Sequence, residues 1–261
     1  MITSIKAEFR KLLTVRSTYF ISFIALVLLA FVSFYIEGFK NGKTDLASPS
    51  GGSQYLADSL TRHSTVIAIF AAIVSLLLFA HEYRYNTIMY TLTSNKSRSN
   101  VLIGKIVVVL LYTFVFTIVA GLAGLGFMIL GVHAAGLSMP HQNLALLTYF
   151  GKMIFYAEGY ALAALLFIAL VRNQVAALVI LLIEPGTFEG LMSLLLKHNS
   201  VYMPFMSLSQ VVATPTKEVA HRLILPSIGY LSPAKGALVF SMYLVAGWVV
   251  AWILFLKRDA N

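Results

Sequence analysis

Four long, predominantly apolar stretches of this 261-residue chain contain no Asp, Glu, Lys or Arg. They cover residues 17–36, 63–81, 106–151 and 236–256. A helix needs about 20 predominantly apolar residues to cross the hydrocarbon core of a bilayer, because it rises only about 1.5 Å per residue. Each stretch meets that length, so the sequence predicts a chain built from membrane-crossing helices.

The composition supports the same class of protein. Hydrophobic residues make up 59% of the chain and charged residues 11%, and the mean hydropathy is +0.85. A soluble domain carries about a quarter charged residues. The apolar runs are continuous rather than alternating, which favours an all-α polytopic membrane protein over a transmembrane barrel. The chain has no cysteine, which excludes disulfides and thiolate chemistry.

We predict a single transmembrane domain over residues 1–261 with six membrane spans. Its parts are an N-terminal amphipathic segment at 1–16, spans at 17–36, 63–81, 106–130, 150–171, 174–194 and 236–256, and a polar segment at 82–100 between spans two and three. The outer loop at 197–235 contains four prolines, so we expect short apolar pieces there, re-entrant or interfacial, rather than another span.

The charges predict the orientation in the membrane. With the N-terminus inside, the inner segments hold 11 basic and 3 acidic residues, or +8, and the rest of the chain holds 8 basic and 7 acidic residues, or +1. Basic residues concentrate on the cytoplasmic side of membrane proteins. We therefore expect a multi-pass protein of the cell membrane with both termini in the cytoplasm, and the net charge of +9 does not indicate a nucleic-acid partner.

The N-terminal segment has an amphipathic pattern. Its apolar residues recur at helical spacing and its basic residues fall around the other side: Ile2, Ile5, Phe9, Leu12 and Leu13 against Lys6, Arg10 and Lys11. This pattern predicts a helix lying in the membrane interface. The alternative is an unstructured basic lead-in to the first span.

The polar segment between spans two and three also has helical periodicity. An apolar stripe of Tyr85, Ile88, Met89 and Leu92 recurs at i, i+3, i+4 and i+7, and Arg84, Thr87 and Thr91 form a polar stripe. This is the pattern of a short amphipathic helix with one face to offer to a partner. The alternative is a solvated loop.

This segment resembles the loop that type-2 ABC exporter permeases share. The resemblance rests on Glu82, Arg84, Thr87, Ile88, Leu92, Arg98 and Lys105, with Asn86 standing where glycine is usual and Asn95 or Lys96 replacing the usual proline. It implies an elbow helix at the N-terminus and a coupling helix that docks on a separate cytoplasmic ATPase, to which Tyr85 and Met89 also contribute. It further implies a second permease subunit, identical or homologous, and a lipid bilayer as surroundings.

The chain shows no nucleotide-binding motif of its own. Gly42, Lys43 and Thr44 imitate the end of a P-loop, but position 37, where the motif needs its first glycine, is Glu. We therefore expect no enzymatic activity and no cofactor in this chain, with ATP and Mg bound by the partner subunit.

The fourth and fifth predicted spans contain three acidic residues: Glu158 in the fourth, and Glu184 and Glu189 in the fifth. Glu158 and Glu184 lie at similar estimated depths, Pro185 and Gly186 interrupt the helix after Glu184, and Glu189 follows. A carboxylate inside a membrane is costly, so it faces a cavity or a partner. These residues are candidates for the transport pathway. The alternative is a protonated glutamic acid bonded to a neighbouring helix.

Other functions and contacts stay open at this stage. The carboxyl groups at 158 and 184 also suit an ion-coupled secondary transporter, and a membrane anchor for a cytoplasmic complex is a third possibility. Ala120 and Gly124 have small-xxx-small spacing, which favours close helix packing within the subunit or across a dimer. The sequence does not identify a substrate.

Overall fold

The structure, a computed structural model, describes residues 2–42, 46, 55–84, 98–139, 146–213 and 230–258. Within these residues the chain is predominantly helical, with no strand. Eight helices are numbered in chain order: α1 Ile2–Thr14, α2 Arg16–Asn41, α3 Tyr55–Arg84, α4 Arg98–Ala134, α5 Leu146–Val171, α6 Gln174–Tyr202, α7 Pro204–Ser209 and α8 Pro233–Arg258.

Six of these helices, α2 to α6 and α8, are long and apolar enough to cross a membrane. This confirms the predicted all-α class with six membrane helices. The helices are longer than the predicted spans: α3 begins at Tyr55 and α4 extends to Ala134. Hydropathy marks only the apolar part of a helix, and the polar turns at its ends continue the same hydrogen-bond ladder.

Helices α3 and α5 form the centre of the bundle. About two thirds of the apolar window of each is buried, 67% in α3 and 61% in α5, against 17% in α2, α6 and α8. The two helices pack extensively against each other, and both carry alanines with no exposed surface: Ala68, Ala71 and Ala72 on α3, and Ala157, Ala161 and Ala164 on α5. Small side chains let two membrane helices approach closely, because association there depends on close packing.

A glycine pair brings α2 and α4 together. A Cβ added to Gly131 of α4 would lie 2.1 Å from the carbonyl oxygen of Phe34, and one added to Gly38 of α2 would lie 2.4 Å from that of Met128. The second half of α2, Val32–Asn41, is a π-helix, which widens the helix locally. The two backbones are therefore in contact at Gly38 and Gly131, where neither residue has a Cβ atom.

Helix α1 turns Ser4, Glu8 and Leu12 toward the bundle, where all three are buried. Phe9 and Leu13, two of the five apolar residues of its amphipathic pattern, are 41% and 47% exposed. Exposed apolar residues of this kind suit a helix in the membrane interface, and that position stays a prediction. The buried carboxylate of Glu8 belongs to a cluster of charged residues from three helices.

The chain between α6 and α8 folds back onto the bundle. After a 3₁₀ turn at Lys197–Tyr202, α7 and the turn Gln210–Val212 pack against α5 and α8. The ring centroid of Phe205 in α7 lies 4.9 Å from the ring centroid of Tyr160 and 6.3 Å from that of Phe240. Leu208 is fully buried. Thr61 of α3 donates a hydrogen bond to the carbonyl of Val212. Apolar residues of the predicted outer loop thus belong to the packed interior: Val201, Phe205, Leu208, Val211 and Val212.

Candidate functional site

Four charged side chains meet at the end of the bundle from which residues 85–97 emerge. Glu82 lies at the end of α3 and Lys105 lies near the start of α4, on either side of that segment, and α1 contributes Glu8 and Lys11. The Nζ of Lys105 lies 2.9 Å from Glu8 Oε2 and 2.9 Å from Glu82 Oε1. The Nζ of Lys11 lies 2.8 Å from Glu8 Oε1 and also pairs with Glu82 Oε1. We call these residues the four-charge cluster.

The four-charge cluster is largely shielded from solvent. Lys105 has no exposed surface, and Glu8 and Glu82 are 2% and 4% exposed. The ammonium group of Lys105 also lies 4.8 Å from the ring centroid of Phe79, within the range of a cation–π contact. Buried charges are costly unless they are paired. Two lysines and two glutamates satisfy this condition, since each cation contacts both anions.

Lys11 is the most exposed member of the four-charge cluster, and its pKa reflects the charges around it. Partial burial lowers the pKa of its ammonium group, but the hydrogen bonds and charges of Glu8 and Glu82 outweigh burial and raise that pKa above its ordinary value. Lys11 is therefore charged at neutral pH. The cluster holds two positive and two negative groups.

Glu82 is one of the residues on which the resemblance to the ATPase-docking loop rests. In the structure its carboxylate is buried and paired with Lys11 and Lys105 of the same chain. The sequence pattern around position 82 carries no information about residues 8 and 11, which lie more than 70 positions away.

The structure describes only the base of the predicted coupling segment. Arg84 ends α3 and Arg98 begins α4, with side chains that are not described. The other predicted coupling residues lie outside the described residues: Tyr85, Thr87, Ile88, Met89 and Leu92. Their role remains a prediction.

Glu189 has a defined local role. Its carboxylate has no exposed surface and accepts hydrogen bonds from the backbone N–H groups of Phe205, at 2.8 Å, and Met206. These amides lie in the first turn of α7, where N–H groups have no partner within the helix. A negative charge there also interacts favourably with the helix dipole. Glu189 therefore fastens α7 to α6.

Glu184 lies near Glu189 rather than Glu158. It begins the π-helical turn Glu184–Phe188, which contains Pro185, and it interacts electrostatically with Glu189. Glu158 is half-buried in α5 and has no hydrogen bond or ion pair with any described residue. The structure thus pairs Glu184 with Glu189, and no contact among the described residues joins Glu158 to Glu184.

A second polar cluster, at the opposite end of the bundle, was missed by the sequence reasoning. Glu37 of α2 lies 2.9 Å from Arg62 Nε and 2.9 Å from His63 Nε2 of α3, and it accepts a hydrogen bond from Ser59 at 2.6 Å. Glu37 and His63 are 3% and 1% exposed. The prediction ended the first span at 36, although Ser59 and His63 share a helix face at i, i+4 spacing, a signal that a polar partner faces them.

Comparison with known proteins identifies a family. The family model described as "ABC-2 family transporter protein" matches residues 4–184, more than half of the chain. The matched region includes α1 to α5, the four-charge cluster and the segment between α3 and α4. No curated protein and no solved structure matches the chain.

Proposed function

The chain belongs to the ABC-2 family of transporter proteins, and on that premise we propose that it is the membrane permease subunit of an ATP-driven exporter. In this proposal the chain works as a dimer, with an identical or homologous permease, and forms the substrate pathway. Separate cytoplasmic ATPase subunits bind ATP and Mg, and this chain hydrolyses no ATP itself.

The observation that carries this proposal is the ion pair that joins the two helices flanking the segment 85–97. Glu82 and Lys105 lie on the two helices that flank the segment, and their side chains are 2.9 Å apart. A segment held at both of its ends is suited to receive a force and pass it to α3 and α4. Helix α3 packs extensively against α5 at the centre of the bundle, so displacement of its end reaches the buried core.

The orientation follows from the charge distribution. The excess of +8 on one side against +1 on the other favours a cytoplasmic position for both termini and for the segment 85–97. An ATPase in the cytoplasm then meets the segment directly. Nucleotide-driven closure of two ATPase subunits displaces the segment, and the attached helices change the side of the membrane to which the pathway opens.

The acidic residues have separate roles in this proposal. Glu189 holds α7 in place. Glu158, half-buried and without a bonded partner among the described residues, is the better candidate for facing the pathway, since a carboxylate at that depth needs water or substrate for solvation. Glu184 is a weaker candidate because Glu189 already lies next to it.

The proposal is tested by substitution within the segment. Leu92→Asp places a charge on the apolar stripe, whereas Thr91→Ala changes the polar stripe of the same segment and serves as the matched control. Truncating a central buried anchor typically costs about 2 kcal/mol or more of binding free energy. The chain is purified in mild detergent with its ATPase, and the bound ATPase is quantified. We expect Leu92→Asp to lose the ATPase and Thr91→Ala to retain it. Equal retention by both variants would contradict the proposal.

A further inference from the structure

We propose that the four-charge cluster is a clamp that makes α1 move together with the ends of α3 and α4 when the segment 85–97 is displaced. Glu8, Lys11, Glu82 and Lys105 are then positioning residues: they contact neither ATP nor substrate. This inference rests on the proposed function, because it concerns how movement of the coupling segment spreads. It assigns to Glu82 and Lys105 an internal role instead of a contact with the ATPase.

The geometry of the cluster is that of a closed ring. Going around it, Glu8 contacts Lys11, Lys11 contacts Glu82, Glu82 contacts Lys105 and Lys105 returns to Glu8. Positive and negative groups therefore alternate, and every ion has two partners of opposite charge. The ring joins α1 to both helices that flank the segment, through pairs separated by 71 and 97 positions in sequence.

Burial makes this ring stiffer than a set of surface ion pairs. Exposed ion pairs are exchanged for water at little cost. When one member of a buried pair moves away, its partner is left as an uncompensated charge in a poorly solvated place. Lys105 has no exposed surface at all, so separation of α1 from α4 would remove Glu8, one of its two carboxylate partners, at a place that water does not reach. The three helix segments are therefore expected to move as one body.

Backbone packing favours the same grouping. Gly104, next to Lys105, brings α4 against α1: a Cβ at this position would lie 3.5 Å from the Cβ of Ser4 and 3.6 Å from the backbone nitrogen of Ile5. Helix α1 therefore contacts α4 directly beside the ring. Displacement of the segment then shifts α1 together with its exposed residues Phe9 and Leu13, which are suited to contact lipid.

The first experiment uses the chain alone, in lipid nanodiscs. Because the chain has no cysteine, a single spin label is attached at Arg10→Cys, an exposed position on α1. Glu82→Gln replaces the cluster's ion pairs to α3 by a neutral amide, and Arg62→Gln removes the ion pair with Glu37 at the other end of the bundle. We expect the label to become mobile with Glu82→Gln and to stay unchanged with Arg62→Gln. An unchanged label in both variants would overturn the clamp, whether or not an ATPase partner exists.

The second experiment uses the complex with the ATPase and a reversible replacement for the clamp. Lys11→Cys with Glu82→Cys removes one cation and one anion, so the remaining pair of Glu8 and Lys105 stays neutral. We expect kcat for ATP hydrolysis to fall by about tenfold, a typical size for coupling between sites, with KM for ATP and ATPase association unchanged. A cleavable thiol-reactive cross-linker between the two cysteines should restore kcat, and a reductant should remove it again.

The results of these two experiments distinguish failure of the clamp from failure of the proposed function. A normal kcat in the double variant, or a kcat that cross-linking fails to restore, overturns the clamp and favours direct contact of Glu82 with the ATPase. Absence of any ATPase from the wild-type complex overturns the proposed function, while the spin-label experiment still decides on the clamp. Loss of monodispersity in the double variant moves the test to Lys11→Gln, which leaves both anions in place and for which we expect a mobile label and a lower kcat.

Discussion

Replacing Gly131 by alanine tests the close contact between α2 and α4. The new Cβ would lie 2.1 Å from the carbonyl oxygen of Phe34 and 3.0 Å from the Cα of Gly38. Carbon and carbonyl oxygen normally approach to about 3.3 Å. Both obstacles are backbone atoms that cannot rotate away, so α2 and α4 must separate by roughly 1 Å along this contact.

The cost follows from what is known of overpacked interiors. Inserting one methyl group into a well-packed site costs about 1 to 3 kcal/mol, and the upper part of that range applies where side chains cannot adjust. For a chain of this size each kcal/mol shifts the midpoint of thermal unfolding by about 2 to 4 °C. We therefore expect Gly131→Ala to lower the apparent Tm by about 4 to 12 °C.

The matched control lies on the same helix. A Cβ added to Gly126 meets no atom within 4 Å, so Gly126→Ala gains helix propensity without a clash. Both variants are heated in detergent, and the monodisperse fraction is followed by size-exclusion chromatography. Equal apparent Tm values for the two variants would refute the close approach of α2 and α4.

Two further predictions concern α7 and the orientation. Glu189→Gln places an amide NH₂ group against backbone N–H donors of α7. A buried unsatisfied group costs about 1 to 3 kcal/mol. Hydrogen exchange of the backbone amides in α7, measured by mass spectrometry, should therefore accelerate roughly tenfold or more. Glu158→Gln removes no hydrogen bond among the described residues and should leave the exchange rate in α7 unchanged. Similar acceleration in both variants would contradict the role of Glu189 as hydrogen-bond acceptor for α7. A cysteine at Lys96 should react with a membrane-impermeant maleimide only after the cells are opened, and labelling of intact cells would reverse the orientation.

The six-helix class follows from the sequence because hydropathy is a local property. A predominantly apolar run of about 20 residues indicates a membrane helix wherever it lies in the chain. The face that such a helix turns inward is less accessible to sequence reasoning, since lipid-exposed and core-facing residues are equally apolar. Helix α1 illustrates the difficulty: its periodicity indicated an apolar face that includes Phe9, but it did not indicate that Glu8 is buried against the bundle and paired with Lys105.

The candidate site was predictable only in part. The motif around the segment 82–105 indicated its location, but the partners of Glu82 come from α1 and α4. Such pairings depend on tertiary contacts that no local pattern records. The acidic residues show the same limit: Glu184 and Glu158 were grouped by their estimated depth, whereas the fold places Glu184 next to Glu189.

The central claim is that an ATPase drives this chain through the apolar stripe of the segment 85–97. A photoreactive amino acid at position 88, on that stripe, tests the contact directly, with position 91 on the polar stripe as the comparison. The complex is irradiated in native membranes, and the cross-linked protein is identified by its mass and its ATP-binding motifs. We predict a cross-link to an ABC ATPase from position 88 that exceeds the one from position 91. Absence of any ATP-binding protein among the products from position 88 would contradict the account and favour an ion-coupled transporter.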